Sequence, residues 1–259
     1  MERSAFSDPL RVLATSLRRF SSLRFGVAFN RAAIARRFIK GSGIEIGALH
    51  NPLRMPRGAQ VRYVDRMPVA ELRRQYPELE GEKLVEVDVI DDGERLGSIA
   101  DDSQDFVVAN HFLEHSENPI GALLSMFRVL RTGGILYLAV PDKRFTFDLK
   151  RPTTPLEHVL RDYQEGSEQS RRAHFEEWAR LVDNVPEPEL ERHVADLLAK
   201  DYSIHFHVWT QADVLGLLVA LRERFGVSYD LEVAVRNDHE NVFVLRKLAS
   251  APTEMEHDS

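Results

Sequence analysis

The sequence contains no cysteine among its 259 residues. This absence excludes disulfides, thiolate nucleophiles and cysteine-bound metal, and it favours the cytoplasm as the compartment. No apolar run is long enough to cross a membrane as a helix, which takes about 20 consecutive apolar residues. Because 43% of the residues are hydrophobic, the chain can still bury a large core.

Acidic residues outnumber basic ones outside the first forty positions. Residues 1–40 carry nine bases against two acids, whereas the whole chain has a net charge of −7. The acidic remainder lacks the continuous basic surface that binds a nucleic-acid backbone, so no nucleic-acid partner is expected. Residues 9–25, and a second segment from Asn30 onward, predict basic amphipathic helices. These helices either pack on the edge of the sheet or contact an anionic membrane or an acidic glycan.

Glycines are also few at the turn where a nucleotide would bind. Residues 43–52 predict a strand and a turn in which Gly47 is the only glycine of a G-x-G-x-x-G pattern. Pro52 and Pro56 disfavour a long helix after that turn. Asp65, at the end of the next predicted strand, is placed to accept hydrogen bonds from a ribose. A pyrophosphate is best held by several glycine amides at a helix N-terminus, so a nucleoside ligand without phosphates is favoured over NAD.

The alternation of predicted strands and helices indicates an α/β fold with a doubly wound, Rossmann-like, mostly parallel sheet. The loop at residues 236–240 is so short that the last two strands form an antiparallel hairpin. The predicted segments are basic helices at 1–40, a cofactor-binding core at 41–145, a helical insertion at 146–209, the last helix and hairpin at 210–248, and a disordered tail at 249–259. The insertion is expected to cover the carboxyl edge of the sheet as a substrate cap.

Five segments follow one another in an informative order: Glu45-Ile46-Gly47, Asp65, Asp88-Val89, Asn110 to His115, and Arg131 to Gly134. In this order and spacing the chain resembles a class I S-adenosylmethionine-dependent methyltransferase of the small-molecule, methyltransferase type 11-like kind. The resemblance implies a seven-stranded sheet that ends in the antiparallel pair, with S-adenosylmethionine as the cofactor.

The resemblance also implies roles for particular residues. Glu45, Gly47 and Ala48 would lie beside the methionine part of the cofactor, Asp65 at the ribose, Asp88 and Val89 at the adenine, and Asn110 at the amino or carboxylate end. The chain departs from the family pattern in having a single glycine and only a short connection between the first two strands. Both departures affect how the methionine part of the cofactor would be held.

Methyl transfer to a hydroxyl or amine is helped by a base that takes the acceptor's proton. The base predicted from the sequence is His111, His158 or Asp142, with His115 as a further histidine near the same strand end. His111 follows a predicted strand directly and is expected to point into the cleft. For each histidine, the competing interpretation is a structural or capping side chain.

The substrate site is predicted from His115, Arg144, His205, His207 and Trp209. His205 and His207 share one face of an extended segment, so they either line a polar pocket or chelate a metal together with Asp142 or Asp148. We expect the pocket and no metal. Arg144 either recognises an anionic group of the substrate or pairs with Asp142.

Three functional hypotheses follow from these patterns. The first is an enzyme that moves a methyl group from S-adenosylmethionine to an oxygen or nitrogen of a small molecule, such as a sugar or another polyhydroxylated metabolite. The second is a non-catalytic cofactor-binding subunit or scaffold that docks to a partner through the basic helices of residues 1–40. The third is an NAD-dependent oxidoreductase, which the single-glycine turn disfavours.

Overall fold

The structure is a computed structural model that describes residues 30–249. The helix predicted within residues 9–25 and the tail from residue 250 onward lie outside this range. None of the helices in the described range is long and apolar enough to span a bilayer.

One mixed sheet forms the centre of the molecule. Its strands are β1 Ser42–Ile46, β2 Gln60–Asp65, β3 Val89–Ile90, β4 Gln104–Asn110, β5 Leu130–Pro141, β6 Tyr229–Asn237 and β7 Glu240–Lys247. The seven strands lie in the order β3-β2-β1-β4-β5-β7-β6. The first five pair in parallel, whereas β7 is antiparallel to both β5 and β6. The predicted Rossmann-like sheet with its C-terminal antiparallel hairpin is therefore confirmed.

The helices are α1 Arg31–Phe38, α2 Val69–Gln75, α3 Pro119–Val129, α4 Leu156–Glu165, α5 Glu168–Leu181, α6 Glu187–Ala199 and α7 Gln211–Phe225. Their starts follow local chemistry. Asn30 accepts a hydrogen bond from a first-turn amide of α1, and Asn118 does the same for α3, which has proline at its first position. Thr210 and Asp213 form a capping box at the start of α7.

The sheet is covered on both faces, which explains why β4 and β5 are almost continuously apolar. Residues of α3 and α7, such as Leu123 and Leu217, pack against one face. Ile34 and Ala35 of α1 pack against the other. Helices α5 and α6 have a separate apolar cluster that includes Phe175, Trp178, Leu190, Val194 and Phe206. The insertion thus has its own small core beside the carboxyl edge of the sheet.

Two boundaries depend on strand pairing. β3 is limited to Val89–Ile90, because only these residues pair with β2. The glycines Gly133 and Gly134 follow α3, which stops at Val129. They lie at a register shift where β5 gains extra residues against β4, and Gly133 has φ +82°. A left-handed backbone at this irregularity suits glycine.

Candidate active site

A cavity of about 410 Å3 opens at the carboxyl ends of β1, β2 and β4. β1 is the point at which the strand order reverses, and ligands of open α/β sheets bind at such a switch point. The lining residues are Ile46, Gly47, Leu49, His50, Asp65, Arg66, Tyr76, Glu78, Leu79, Asp92, Gly93, Glu94, His111, Phe112, His115, Glu117, Asp201, Tyr202, Ser203 and Phe206.

Two glycines shape one wall of the cavity. Gly47 turns the chain away from β1 with φ +63°, and its N–H donates to Val64 O at 3.0 Å. At Gly93, a Cβ atom would lie 2.7 Å from Ile46 Cγ2 and 2.7 Å from Phe112 Cε2. A side chain at this position would displace both neighbours, so the close approach requires glycine.

Asp65 ends β2 and lines the cavity. Its Oδ1 accepts a hydrogen bond from Arg66 N at 2.7 Å. Burial raises the pKa of Asp65 to about 6, against the lowering effects of the Arg66 amide and charge. The carboxylate is thus ionised at neutral pH and available as a hydrogen-bond acceptor.

His111 follows β4 directly in a left-handed conformation, with φ 50°. Its Nε2 lies 2.7 Å from Glu240 Oε2, and its Nδ1 lies 3.5 Å from Glu114 Oε1. Burial by itself would lower the pKa of His111, but the hydrogen bond to Glu240 and the two carboxylate charges raise it. Burial would also raise the pKa of Glu240, yet His111, Asn237 and Arg31 together lower it. An ionised carboxylate can only accept, so the His111 Nε2–H donates to Glu240.

Ion pairs fasten the insertion to the rim of the cavity. Arg66 Nη1 lies 2.7 Å from Asp201 Oδ2, and Arg171 bridges Asp201 and Glu117. Asp201 precedes Tyr202, which lines the cavity from the insertion side. These pairs join β2 and α5 to the segment after α6, so the insertion forms one wall of the site.

The structure brings together only some of the residues predicted for the cofactor. Gly47 and Asp65 line the cavity, whereas Glu45, Ala48 and Asn110 do not. Glu45 is buried, and its Oε1 accepts a hydrogen bond from Leu53 N at 2.8 Å. Burial raises the pKa of Glu45 to about 7.

Asp88 and Val89, which were predicted at the adenine, are not among the residues that line the cavity. Asp88 Oδ2 accepts from Tyr63 N at 2.8 Å, while Asp88 N donates to Tyr63 O at 2.9 Å. This double contact ties Asp88 to β2 outside the cavity lining. The turn after β3 brings Asp92 and Gly93 to the cavity instead.

Asp142 is also corrected, because its carboxylate is fully engaged away from the cavity. Arg144 donates to it through the main-chain N, Nε and Nη2, and Asn241 Nδ2 donates at 3.1 Å. Burial would raise the pKa of Asp142, but these hydrogen bonds lower it to about 2. Such a weak base does not take a proton from an acceptor, and Arg144 is a pairing residue.

His205 and His207 do not share a site. His205 Nδ1 lies 2.7 Å from Asp148 Oδ2, whereas His207 packs near His158 and stacks on Trp209 with ring centroids 5.3 Å apart. The joint metal site with Asp142 or Asp148 is therefore wrong. His115 lines the cavity, but His158, His205, His207 and Trp209 do not. His158 instead faces another histidine inside the insertion, which removes it as the acceptor's base.

Several cavity residues were missed by the sequence analysis. Gly93 could have been predicted at the site, because it ends the acidic turn that follows the third strand. Phe112 stood within a recognised motif but received no role. Tyr202 and Ser203 carried no signal, because only the folded insertion brings them to the sheet edge.

The chain is similar to known proteins in one sequence domain and in its fold. Residues 41–138 match the family model described as "Methyltransferase domain". No curated protein matches the sequence. The fold is similar to that of a proposed zinc-dependent alcohol dehydrogenase from Rhodobacter sphaeroides, with TM-score 0.52, 18% identity, and coverage of 86% of this chain and 91% of that one. This likeness concerns the fold alone.

Two further solved structures are SAM-dependent methyltransferases. The Aquifex aeolicus protein has TM-score 0.45, 15% identity, and coverage of 94% of this chain and 100% of that one. The Methanosarcina mazei protein has TM-score 0.44, 15% identity, and coverage of 83% and 97%. The domain match spans β1 through most of β5 and includes Gly47, Asp65 and His111. Residues 41–138 of this chain are therefore a methyltransferase domain.

Proposed function

We propose that this enzyme methylates an oxygen or nitrogen of a small-molecule acceptor and that His111 takes the acceptor's proton. The observation that carries the proposal is the 2.7 Å contact between His111 Nε2 and Glu240 Oε2 at the cavity wall. The buried carboxylate fixes the ring orientation and the tautomer, in the way that a carboxylate orients a histidine base in hydrolases. The raised pKa of His111 makes it a stronger base than a free imidazole.

The cavity residues fit the cofactor. Asp65 offers the ionised acceptor that ribose hydroxyls need, and Gly47 in its left-handed turn presents backbone to the cavity without a side chain. Phe112 supplies an apolar ring beside Gly93 for the adenine. When bound, S-adenosylmethionine supplies an electrophilic methyl group on a sulfonium.

The charge of the cavity favours a cationic ligand. Six carboxylates line it against a single arginine within the described range: Asp65, Glu78, Asp92, Glu94, Glu117 and Asp201. A sulfonium is attracted to such a wall more strongly than the uncharged thioether left after transfer, so the lining favours cofactor over spent product.

Polar groups at the cavity support a polyhydroxylated acceptor. Ser203, Tyr202 and Glu117 offer hydroxyl and carboxylate groups at the cavity, with His115 beside them. Such groups suit a polyhydroxylated metabolite such as a sugar, which needs several hydrogen bonds at once. The cavity of about 410 Å3 limits the occupants to the cofactor and a small molecule.

The experiment is methyl transfer from labelled S-adenosylmethionine to panels of sugars, polyols and small amines, with cofactor affinity measured by calorimetry. His111→Gln is expected to lower kcat by about 10²–10⁴-fold while the cofactor Kd changes little. His193→Gln is the matched control, because His193 pairs with Asp183 on the surface of the insertion.

Unchanged kcat in His111→Gln would remove the proposed base. Cofactor binding without transfer to any acceptor would favour the scaffold hypothesis, and displacement of S-adenosylmethionine by NAD would favour the oxidoreductase.

A further inference from the structure

Four polar side chains with metal-ligating atoms meet inside the helical insertion, away from the cavity. They are His158, Asp162, His174 and His207. Each offers one ligand atom, and these atoms all lie within 4.8 Å of one another. His158 and Asp162 are four residues apart on α4, so they share one helix face. His174 comes from α5, and His207 comes from the extended segment after α6.

The distances are close to those of a tetrahedral metal centre. His158 Nε2 lies 3.0 Å from His174 Nε2 and 3.1 Å from Asp162 Oδ2. Two ligand atoms bound to one tetrahedral zinc at about 2.0–2.1 Å are about 3.3 Å apart. The three atoms therefore need only a small outward shift to hold a common ion.

Hydrogen bonds alone leave this cluster unsatisfied. A proton on His158 Nε2 serves either His174 or Asp162, but it cannot serve both well. Asp162 Oδ2 and His207 Nδ1 are buried and have no hydrogen-bond partner within residues 30–249. Asp162 and His207 are only 3% and 1% exposed, so water does not satisfy these atoms freely. Buried polar atoms without partners are costly, and a bound ion would satisfy all four side chains at once.

The Arg151 guanidinium near the cluster is paired with Asp148 and Glu177, which offsets its charge.

Neighbouring groups also hold two ligands in place. Ser170 Oγ donates to Asp162 Oδ1 at 2.8 Å, which leaves Oδ2 for the ion. His207 Nε2 faces Glu117 O at 3.5 Å, which leaves Nδ1 for the ion. Partners of this kind fix the orientation of metal ligands.

We propose that His158, Asp162, His174 and His207 form a closed structural site for zinc or a similar divalent transition metal. Four protein ligands and no open position are typical of structural zinc sites. The ion would join α4 and α5 to the segment that carries Phe206 and Ser203 into the cavity wall. It would thus set the position of the cap without taking part in methyl transfer.

The test uses the full chain after treatment with a chelator. Zinc should bind with one equivalent per chain by calorimetry, and cobalt(II) should give the intense visible absorption of a tetrahedral site. Zinc at 100 times its Kd should raise Tm by about 5–10 °C. Magnesium should give none of these signals, because it prefers octahedral oxygen ligands.

Separate variants identify the site. His174→Ala and His207→Asn should each weaken zinc binding by more than ~100-fold. Changing a residue that only orients a metal ligand typically costs less than this. His193→Ala, a surface histidine of α6, should bind like the unaltered chain. Glu114→Gln should also bind normally, because Glu114 belongs to another group of close ligands with His115 and His205. Circular dichroism establishes the fold of each variant.

The proposal is overturned if the folded chain binds no zinc, if binding survives both His174→Ala and His207→Asn, or if Glu114→Gln abolishes it. Calorimetry with S-adenosylmethionine is a separate readout, so a failure here leaves the proposed methyl transfer untouched.

Discussion

The His111 ring at the end of β4 is held by Glu240 at the start of β7, with 2.7 Å between Nε2 and Oε2. Glu240 is itself buried, 1% exposed, and is also bonded by Asn237 and paired with Arg31. The antiparallel hairpin therefore has a role beyond closing the sheet. It brings a carboxylate next to the proposed base, although the two residues are far apart in sequence.

We expect Glu240→Gln to shift the acidic limb of the pH–rate profile to lower pH. Glu240 raises the pKa of His111, so its removal lowers that pKa and leaves the ring neutral in more acidic solution. The plateau rate should fall by about 10-fold, because the base is weaker and less well oriented. The measurement is kcat against pH, with cofactor Kd as the control. If the acidic limb stays at the same pH, Glu240 does not influence the pKa that controls the rate.

Asp65→Asn should weaken S-adenosylmethionine binding by about 10- to 100-fold, which is the value of a hydrogen bond to a charged group. The same substitution should stabilise the fold of the cofactor-free protein. The pKa of Asp65 is raised to about 6, so the folded state disfavours its ionised form. This cost is absent below about pH 4, grows as pH rises to about 6, and is complete above it.

The unliganded Asp65→Asn protein should therefore be more stable than the unaltered chain, and the gain should be larger at pH 8 than at pH 5. Urea unfolding at the two pH values measures the difference. Equal gains would show that the carboxylate is not desolvated in the folded state.

The sequence predicted those parts of the site that depend on local rules. Gly47 and Asp65 were found because a turn after one strand and the end of the next lie at the same sheet edge. The position of Asp88 failed because only two residues of β3 pair, and pairing ends depend on neighbouring strands. His205 and His207 do share the alternation of an extended segment, but their partners come from α4, α5 and the loop before α4. Residue spacing within one segment cannot predict contacts with residues of other elements.

Gly93→Ala should weaken cofactor binding and destabilise the fold by about 1–3 kcal/mol, as expected for overpacking. The added Cβ would meet Phe112 and Ile46, both of which line the cavity. Gly216→Ala on α7 is the matched control, because a Cβ there meets nothing within 4 Å. That change should stabilise the chain by about 0.5–1 kcal/mol through helix propensity. Calorimetry with S-adenosylmethionine and urea unfolding measure both effects. Unaltered cofactor affinity in Gly93→Ala would place the ligand elsewhere.

Arg151→Met should destabilise the protein by about 3–5 kcal/mol, because it leaves a buried carboxylate without its partner. The Arg151 side chain is fully buried, and its Nη1 lies 2.9 Å from Asp148 Oδ1. Arg172→Met is the matched control, because Arg172 pairs with Glu191 on the surface and its loss should cost less than about 1 kcal/mol. The double variant Arg151→Met with Asp148→Asn should recover part of the lost stability, since the buried residue at position 148 then carries no charge. Urea unfolding distinguishes these outcomes: equal losses for Arg151→Met and Arg172→Met would mean that the buried pair contributes no more than a surface one.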